Sequence, residues 1–295
     1  MTSTTTPSPA STVSPLRRRR SARGTRVGSV ITHAVLIAGA VVMIFPFAWQ
    51  ILTAFKTQAE AVAVPVQILP SRWEWAVFTE IFEVLPFAEQ LRTSVIVAFV
   101  RTVGQVMLCS LAAYAFARLR FPGRELLFAL FLSVLMVPGQ LLILPQYELM
   151  ATFDLLNTIP ALILPGLFSA FGTFLLRQFF LTIPAELEEA ALLDGASRLR
   201  IYWSVMLPLV RPALAALAVI TMMNSWNDLL WPLVVNTDPN VMPISAGLTT
   251  LQGQFQTNYP ALMAGALLAS LPMLLVFLVL QRQFVQGIAL TGSKG

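Results

Sequence analysis

The sequence predicts an all-α, polytopic membrane protein with six transmembrane helices and both termini on the cytoplasmic side. Three observations carry this reading. Of 295 residues, 57% are hydrophobic and only 11% charged, with mean hydropathy +0.75. Soluble proteins carry roughly 25% charged residues. The apolar residues also fall in runs long enough to cross ~30 Å of hydrocarbon, which takes ~20 helical residues. Finally, Lys and Arg alternate between scarce and abundant from one connecting segment to the next. The composition excludes a disordered chain, a secreted disulfide scaffold and an ordinary soluble enzyme.

The elements follow in chain order. Residues 1–15 hold nine Ser/Thr and three Pro without periodicity, and Arg17 to Arg20, Arg23 and Arg26 follow. A disordered, basic cytoplasmic leader is expected over 1–26. The first membrane helix is expected at 30–52; its apolar run exceeds the h-region of a signal peptide, so it reads as an uncleaved anchor. The outer segment 54–92 carries Trp73 and Trp75, whose indoles favour the membrane interface. There Phe78, Ile81, Phe82 and Leu85 share helical spacing, which predicts a short surface helix. Further spans are expected at 93–117, 126–145, 159–180, 212–233 and 261–281. They complete a membrane domain over 27–281, and a cytoplasmic tail is expected at 282–295. Pro46, Pro138, Pro165 and Pro272 fall inside these runs and are candidates for kinks.

Orientation follows from the basic residues. Fifteen of 19 Lys/Arg lie in the N-terminal segment, the 118–124 link, the 177–211 link and the tail. These segments are therefore cytoplasmic. The net charge of +5 is this topology signal and needs no nucleic-acid partner. One cysteine, Cys109, and one histidine, His33, are too few for a disulfide, a thiolate metal site or a Ser/His/Asp triad. No metal site is expected.

The 182–211 loop is the most informative segment. Pro184 suits a helix start, and Glu186, Glu188 and Glu189 favour the N-terminal half. Asp194-Gly195 supplies a stop, because Gly tolerates the left-handed conformation. Ser197 suits the N-cap of a second short helix running to Leu207. Pro208 closes it, and Pro212 opens the fifth membrane helix. A helix–turn–helix under the membrane is expected. Leu192, Leu193, Ile201, Tyr202 and Trp203 are large apolar residues in this polar loop. They mark either a docking surface or packing beneath the chain's own helices, and the residues alone leave both open.

Glu189-Ala190-Ala191, three residues, Gly195, nine residues, then Val205-Met206-Leu207-Pro208 resembles the EAA signature of ABC-importer permeases. The one departure is Val205 where the signature has Ile. LAAYAFARLRFPG at 111–123, Pro138 and Gln140, WNDLLWPL at 226–233 and the Gly292–Gly295 end are similar to its carbohydrate-uptake branch. The likeness is to the six-helix, maltose-permease-like second subunit.

This resemblance implies a type I ABC importer permease fold in a bacterial cell membrane. It implies that Glu189, Ala190, Ala191, Gly195, Leu207 and Pro208 couple the chain to a cytoplasmic ATPase. It also implies a second permease subunit, two ATP-binding subunits and an extracellular or periplasmic substrate-binding protein. The only lysines, Lys56 and Lys294, lie outside any GxxxxGK[ST] pattern. No cofactor is expected on this chain, ATP and Mg belonging to the partner ATPases, and the chain is expected not to be an enzyme.

A substrate pathway is expected around Asn224, Trp226, Asn227, Asp228 and Trp231, toward the outer end of the fifth span. Sugar recognition combines hydrogen-bonding side chains with flat aromatic rings. The same residues also suit helix–helix packing and interface anchoring. Arg101 either pairs with Asp228 or snorkels outward. Two rival functions are an ion-coupled secondary transporter and an ABC importer of a non-sugar or polyol-phosphate solute. No internal repeat and a single intramembrane acid speak against the first.

Overall fold

In a computed structural model of the chain, the described residues are 22–253 and 257–292, with side chains described over 29–253 and 257–279. Residues 1–21 of the expected leader and 293–295 of the expected tail lie outside the described residues. The described backbone is helical, with one isolated antiparallel bridge between Gln252 and Thr257. It divides into two units, Met1–Trp49 and Gln50–Gly295.

The first unit contains most of α1 (Ala22–Ala54), which starts inside the segment expected as leader. Its stretch from Ser29 is long and apolar enough to cross a membrane. Val35, Leu36, Phe45 and Phe47 are all more than half exposed. A helix that is apolar all round suits lipid.

The second unit begins with α2 (Gln58–Ala61) and α3 (Val77–Val84), the latter matching the short helix expected there. Thr57 and Glu60 form a capping box around α2, and Glu60 also accepts from the Ser71 hydroxyl and amide. These bonds, the Ser71 hydroxyl first, hold the Glu60 carboxyl down from its usual 4.5 to about 2. The helix α4 (Phe87–Arg118) is the second expected span, longer at its outer end than 93–117.

The next three spans are not straight. The expected 126–145 helix is α5 (Arg124–Ser133) and α6 (Ile143–Thr152), bent by 97° around Val137-Pro138. Proline removes an N–H and pushes its predecessor out of the helical region, and Val137 is extended accordingly. The expected 159–180 helix is α7 (Ile159–Ile163) with a 3₁₀ turn at Leu164–Gly166, then α8 (Ala170–Thr182), bent by 45°.

The loop after α8 holds α9 (Ala185–Leu193), α10 (Arg198–Ile201), a π turn at Tyr202–Met206 and α11 (Leu207–Leu209). A bend of 79° leads into α12 (Arg211–Trp226). The expected 212–233 helix ends at Trp226 and resumes as α13 (Leu230–Val235). After α14 (Ile244–Gly247), α15 (Tyr259–Gly292) runs beyond the expected end at 281. Among the described residues, three intact helices and three bent pairs give up to six spans when each pair counts as one.

Three apolar cores hold these elements. One gathers Cys109, Ala113, Tyr114 and Ala117 of α4 with Leu176 and Phe180 of α8, and packs Ile201, Tyr202 and Met206 beneath them. A second joins Ile81, Ala98, Trp226, Ile244 and Ala264. The third joins Val97, Met150, Leu162 and Trp231.

Candidate functional site

The 182–211 loop is positioned by local capping and by one buried carboxylate. Pro184, expected as the first helical residue, takes the N-cap place instead, so α9 starts one residue later at Ala185. Gly195 has φ +79°, so the helix stop uses the left-handed region that costs other residues. The amides of Gly195 and Ala196 return to Leu192 O and Ala191 O. Ser197 accepts from the Arg200 amide and caps α10, as its position in the sequence predicts.

Pro208 behaves differently from expectation. It does not end the second helix, which continues to Leu209 and breaks at Val210. The ring of Pro208 would strike the Ser204 carbonyl in a regular helix. The wider π turn at Tyr202–Met206 absorbs it.

Two adjacent glutamates divide the labour. Glu189, in the signature position, is exposed. Glu188 is 6% exposed and faces inward. Its Oε1 accepts from Tyr114 Oη of α4 at 3.1 Å and from Arg198 Nη1, and Oε2 lies 4.0 Å from Arg118 Nε. Arg118 also donates to the carbonyls of Phe180 and Ile183 at the end of α8. One carboxylate therefore ties the loop to two spans. From the sequence, Glu188 has only a place in the acidic N-terminal half of the helix, not this anchoring role. Its spacing of three from Ala191, which packs against the first core, places it on the inward face of α9 and is the signal that finds it.

The large apolar residues of the loop split between the two readings. Ile201 and Tyr202 are buried, and Tyr202 Oη shares a 2.6 Å hydrogen bond with Ser110 of α4. Leu193 is 89% exposed, Leu199 62% and Trp203 47%. Leu193 and Glu189 thus project from a firmly held helix. Ala190 is exposed beside them, while Ala191, Leu207 and Pro208 are partly buried.

The expected substrate-pathway residues do not form one cluster. Asp228 pairs with Arg101 of α4, Nη1 to Oδ2 at 2.9 Å, with side chains 23% and 17% exposed. Arg101 therefore pairs rather than snorkels. Trp226 packs into the second core, and Trp231 packs into the third with its indole N–H on Ala161 O at 2.9 Å. Both indoles are buried among this chain's own side chains. Asn227 turns back to Met223 O. Asn224 is exposed and lines a cavity of about 460 Å³ with Arg101 and Gln105.

Comparison with known proteins places this geometry. A family model described as a binding-protein-dependent transport system inner membrane component matches residues 105–289. An sn-glycerol-3-phosphate transport system permease protein of Pectobacterium atrosepticum is 37% identical over 267 residues, 88% of this chain and 95% of the relative. An arabinooligosaccharides transport system permease protein of Halalkalibacterium halodurans is 35% identical over 259 residues, 87% of this chain and 93% of the relative. The fold matches, at TM-score 0.77 and 22% identity, a chain from the crystal structure of a bacterial ABC transporter involved in import of the acidic polysaccharide alginate. That match covers 88% of this chain and 98% of the other.

Proposed function

The chain belongs to the binding-protein-dependent transport system inner membrane component family, and from that premise we propose that it forms half of the translocation pathway of an ATP-driven carbohydrate importer. It is a multi-pass membrane protein and a transport component, not an enzyme. Its family works with a second permease, ATPase subunits and a binding protein. In this reading the second permease completes the pathway, and two cytoplasmic subunits hold ATP and Mg²⁺.

The observation that carries the coupling role is the loop's anchoring. Glu188 fixes α9 to α4 and, through Arg118, to the end of α8, while Leu193 and Glu189 are left outward. An ATPase that pulls on the outer face moves the spans, because the inner face does not slip. Glu189, Ala190 and Leu193 form the gripped side; Ala191 packs inward and seats the helix; Gly195 supplies the turn; Leu207 and Pro208 lead the chain back into the membrane. ATP then biases outward against inward states through this contact. A carbohydrate cargo is supported by the relative named for arabinooligosaccharides, and the relative named for sn-glycerol 3-phosphate supports the polyol-phosphate alternative.

Uptake of labelled sugars by cells carrying the whole importer tests the reading. Gly195→Asp is expected to abolish ATP-driven uptake while the protein still reaches the membrane. Unchanged uptake contradicts the coupling role. Uptake that follows an ion gradient without ATP contradicts the importer reading.

A further inference from the structure

The cavity of about 460 Å³ beside the Arg101–Asp228 pair has the size of a small-molecule site. It lies between α4, the break before α8 and α12. Irregular backbone at membrane depth persists only where protein buries it or a polar cavity meets it. Here Pro165, Gly166 and Ser169, residues of the break itself, form one wall.

The opposite walls are polar and short of partners. Thr221 is 3% exposed, and its Oγ1 has no hydrogen-bond partner. Arg101 Nε is buried and equally unmatched. Gln105 and Asn224 line the same space and make no side-chain hydrogen bond among the described residues. Of these groups the Gln105 and Asn224 amides are open to the cavity, and a ligand that pairs them gains their hydrogen bonds. Phe168 and Phe171 add rings that are nearly half exposed.

Charge then selects the ligand. Arg101 is the one charged residue in the lining, and Asp228 already meets its guanidinium. The formal charge of the site is therefore zero. A phosphate or carboxylate entering it finds no unneutralised cation and lies close to the Asp228 carboxylate. Its desolvation would go uncompensated. Hydroxyl groups fit better: each both donates and accepts, as the Gln105 and Asn224 amides require. The Phe rings suit the C–H faces of a sugar.

We propose that this subunit itself holds a solute subsite between α4, the α8 break and α12, built for a neutral polyhydroxylated solute rather than an anionic one. The subsite deepens the importer reading and rests on it for its transport role. It separates the substrate classes named by the relatives, since sn-glycerol 3-phosphate is an anion and arabinooligosaccharides are neutral.

Thiol labelling of the complete importer in lipid nanodiscs, without ATP, tests this. Ile220 lines the cavity and is 38% exposed, so Ile220→Cys places a thiol at its mouth. Native Cys109 is buried, and unsubstituted importer gives the background. The probes are maltose, arabinotriose and glucose on one side and sn-glycerol 3-phosphate on the other. At least one neutral sugar is expected to slow labelling about tenfold, as a solute at roughly ten times its Kd does. Glycerol phosphate is expected to leave the rate unchanged.

Adding Asn224→Ala should remove the protection. Adding Asp228→Asn frees the Arg101 charge and should let glycerol phosphate protect. Protection of the Ile220→Cys importer by glycerol phosphate, or by no probe, overturns the proposal. Protection by sugar without ATP-driven uptake of that sugar would leave the subsite standing and sink the importer reading instead.

Discussion

The cytoplasmic loop and the cavity between α4 and α12 both rest on an arginine–carboxylate contact, and they use it in opposite ways. In the loop, Glu188 collects Tyr114, Arg118 and Arg198, and the result is rigidity beneath an exposed face. Near the cavity, Asp228 takes one arm of Arg101 and leaves Nε and its neighbours unmatched. A carboxylate shared by three partners holds a helix in place, and one that meets a single partner beside a cavity leaves room for a ligand. The difference lies in how many donors surround each carboxylate, not in the residue types.

Breaking the two pairs gives the largest expected effects. Arg101→Ala strands Asp228 at membrane depth and is expected to cost about 3 kcal/mol, the scale for an orphaned buried charge. Arg101→Gln with Asp228→Asn should recover most of it, as thermal unfolding in detergent would show. Equal losses for single and double variants would mean that the pair contributes shape rather than charge.

Glu188→Ala is expected to cost about 2 kcal/mol, less than a fully buried pair because Arg198 is half exposed. Glu189→Ala should change stability by under ~0.5 kcal/mol, as surface substitutions do. Both should lower ATP-driven uptake, the first through a loosened helix and the second through a lost contact. Similar stability losses for the two would erase the distinction between anchor and grip.

Smaller effects sharpen the picture. Gly195→Ala forces a side chain into the left-handed region, at about 1 kcal/mol. Trp231→Phe removes the bond to Ala161 O and is expected to cost about 1 kcal/mol without altering sugar protection, since the ring lies in a core. Altered protection by every sugar would return Trp231 to the pathway.

The outer loop provides a pH test. Glu60 is held near 2 in the folded chain against a usual 4.5. A depressed carboxylate contributes stability that is complete above about 4.5 and is lost as pH falls toward about 2. The protection factor of the Ser71 amide, its exchange relative to the intrinsic rate at each pH, should therefore fall over that window, and Glu60→Gln should flatten the dependence.

Most of the loop was legible because its determinants are local. Pro184, Gly195 and Ser197 act within a turn of where they stand, and the signature spacing reports the rest. The six spans were legible as apolar runs, but their breaks were not, because a bent run has the same composition as a straight one. Proline alone does not decide the matter. Pro46 and Pro272 lie inside intact helices, whereas Pro138 and Pro165 mark breaks. Each of the breaking prolines precedes a glycine, Gly139 or Gly166, and each of the tolerated ones precedes a bulky residue, Phe47 or Met273. The Pro-Gly pair was the available sign.

The pathway residues were harder to read. Trp226, Asp228 and Trp231 are close in sequence, but α12 ends at Trp226 and α13 starts at Leu230, so three different environments receive them. Thr221 and Gln105 draw attention only once their empty surroundings are visible. Glu188 and Glu189 differ by one position on a helix whose inward side depends on α4 and α8.

In the importer reading, the outer face of α9 is the surface that an ATPase grips. A photo-reactive benzoyl group introduced at Leu193, in the whole importer, tests it most directly. Irradiation followed by mass spectrometry should find adducts on the cytoplasmic ATPase subunit, with a yield that changes when nucleotide is added. Adducts confined to lipid or to the permease itself would contradict the account.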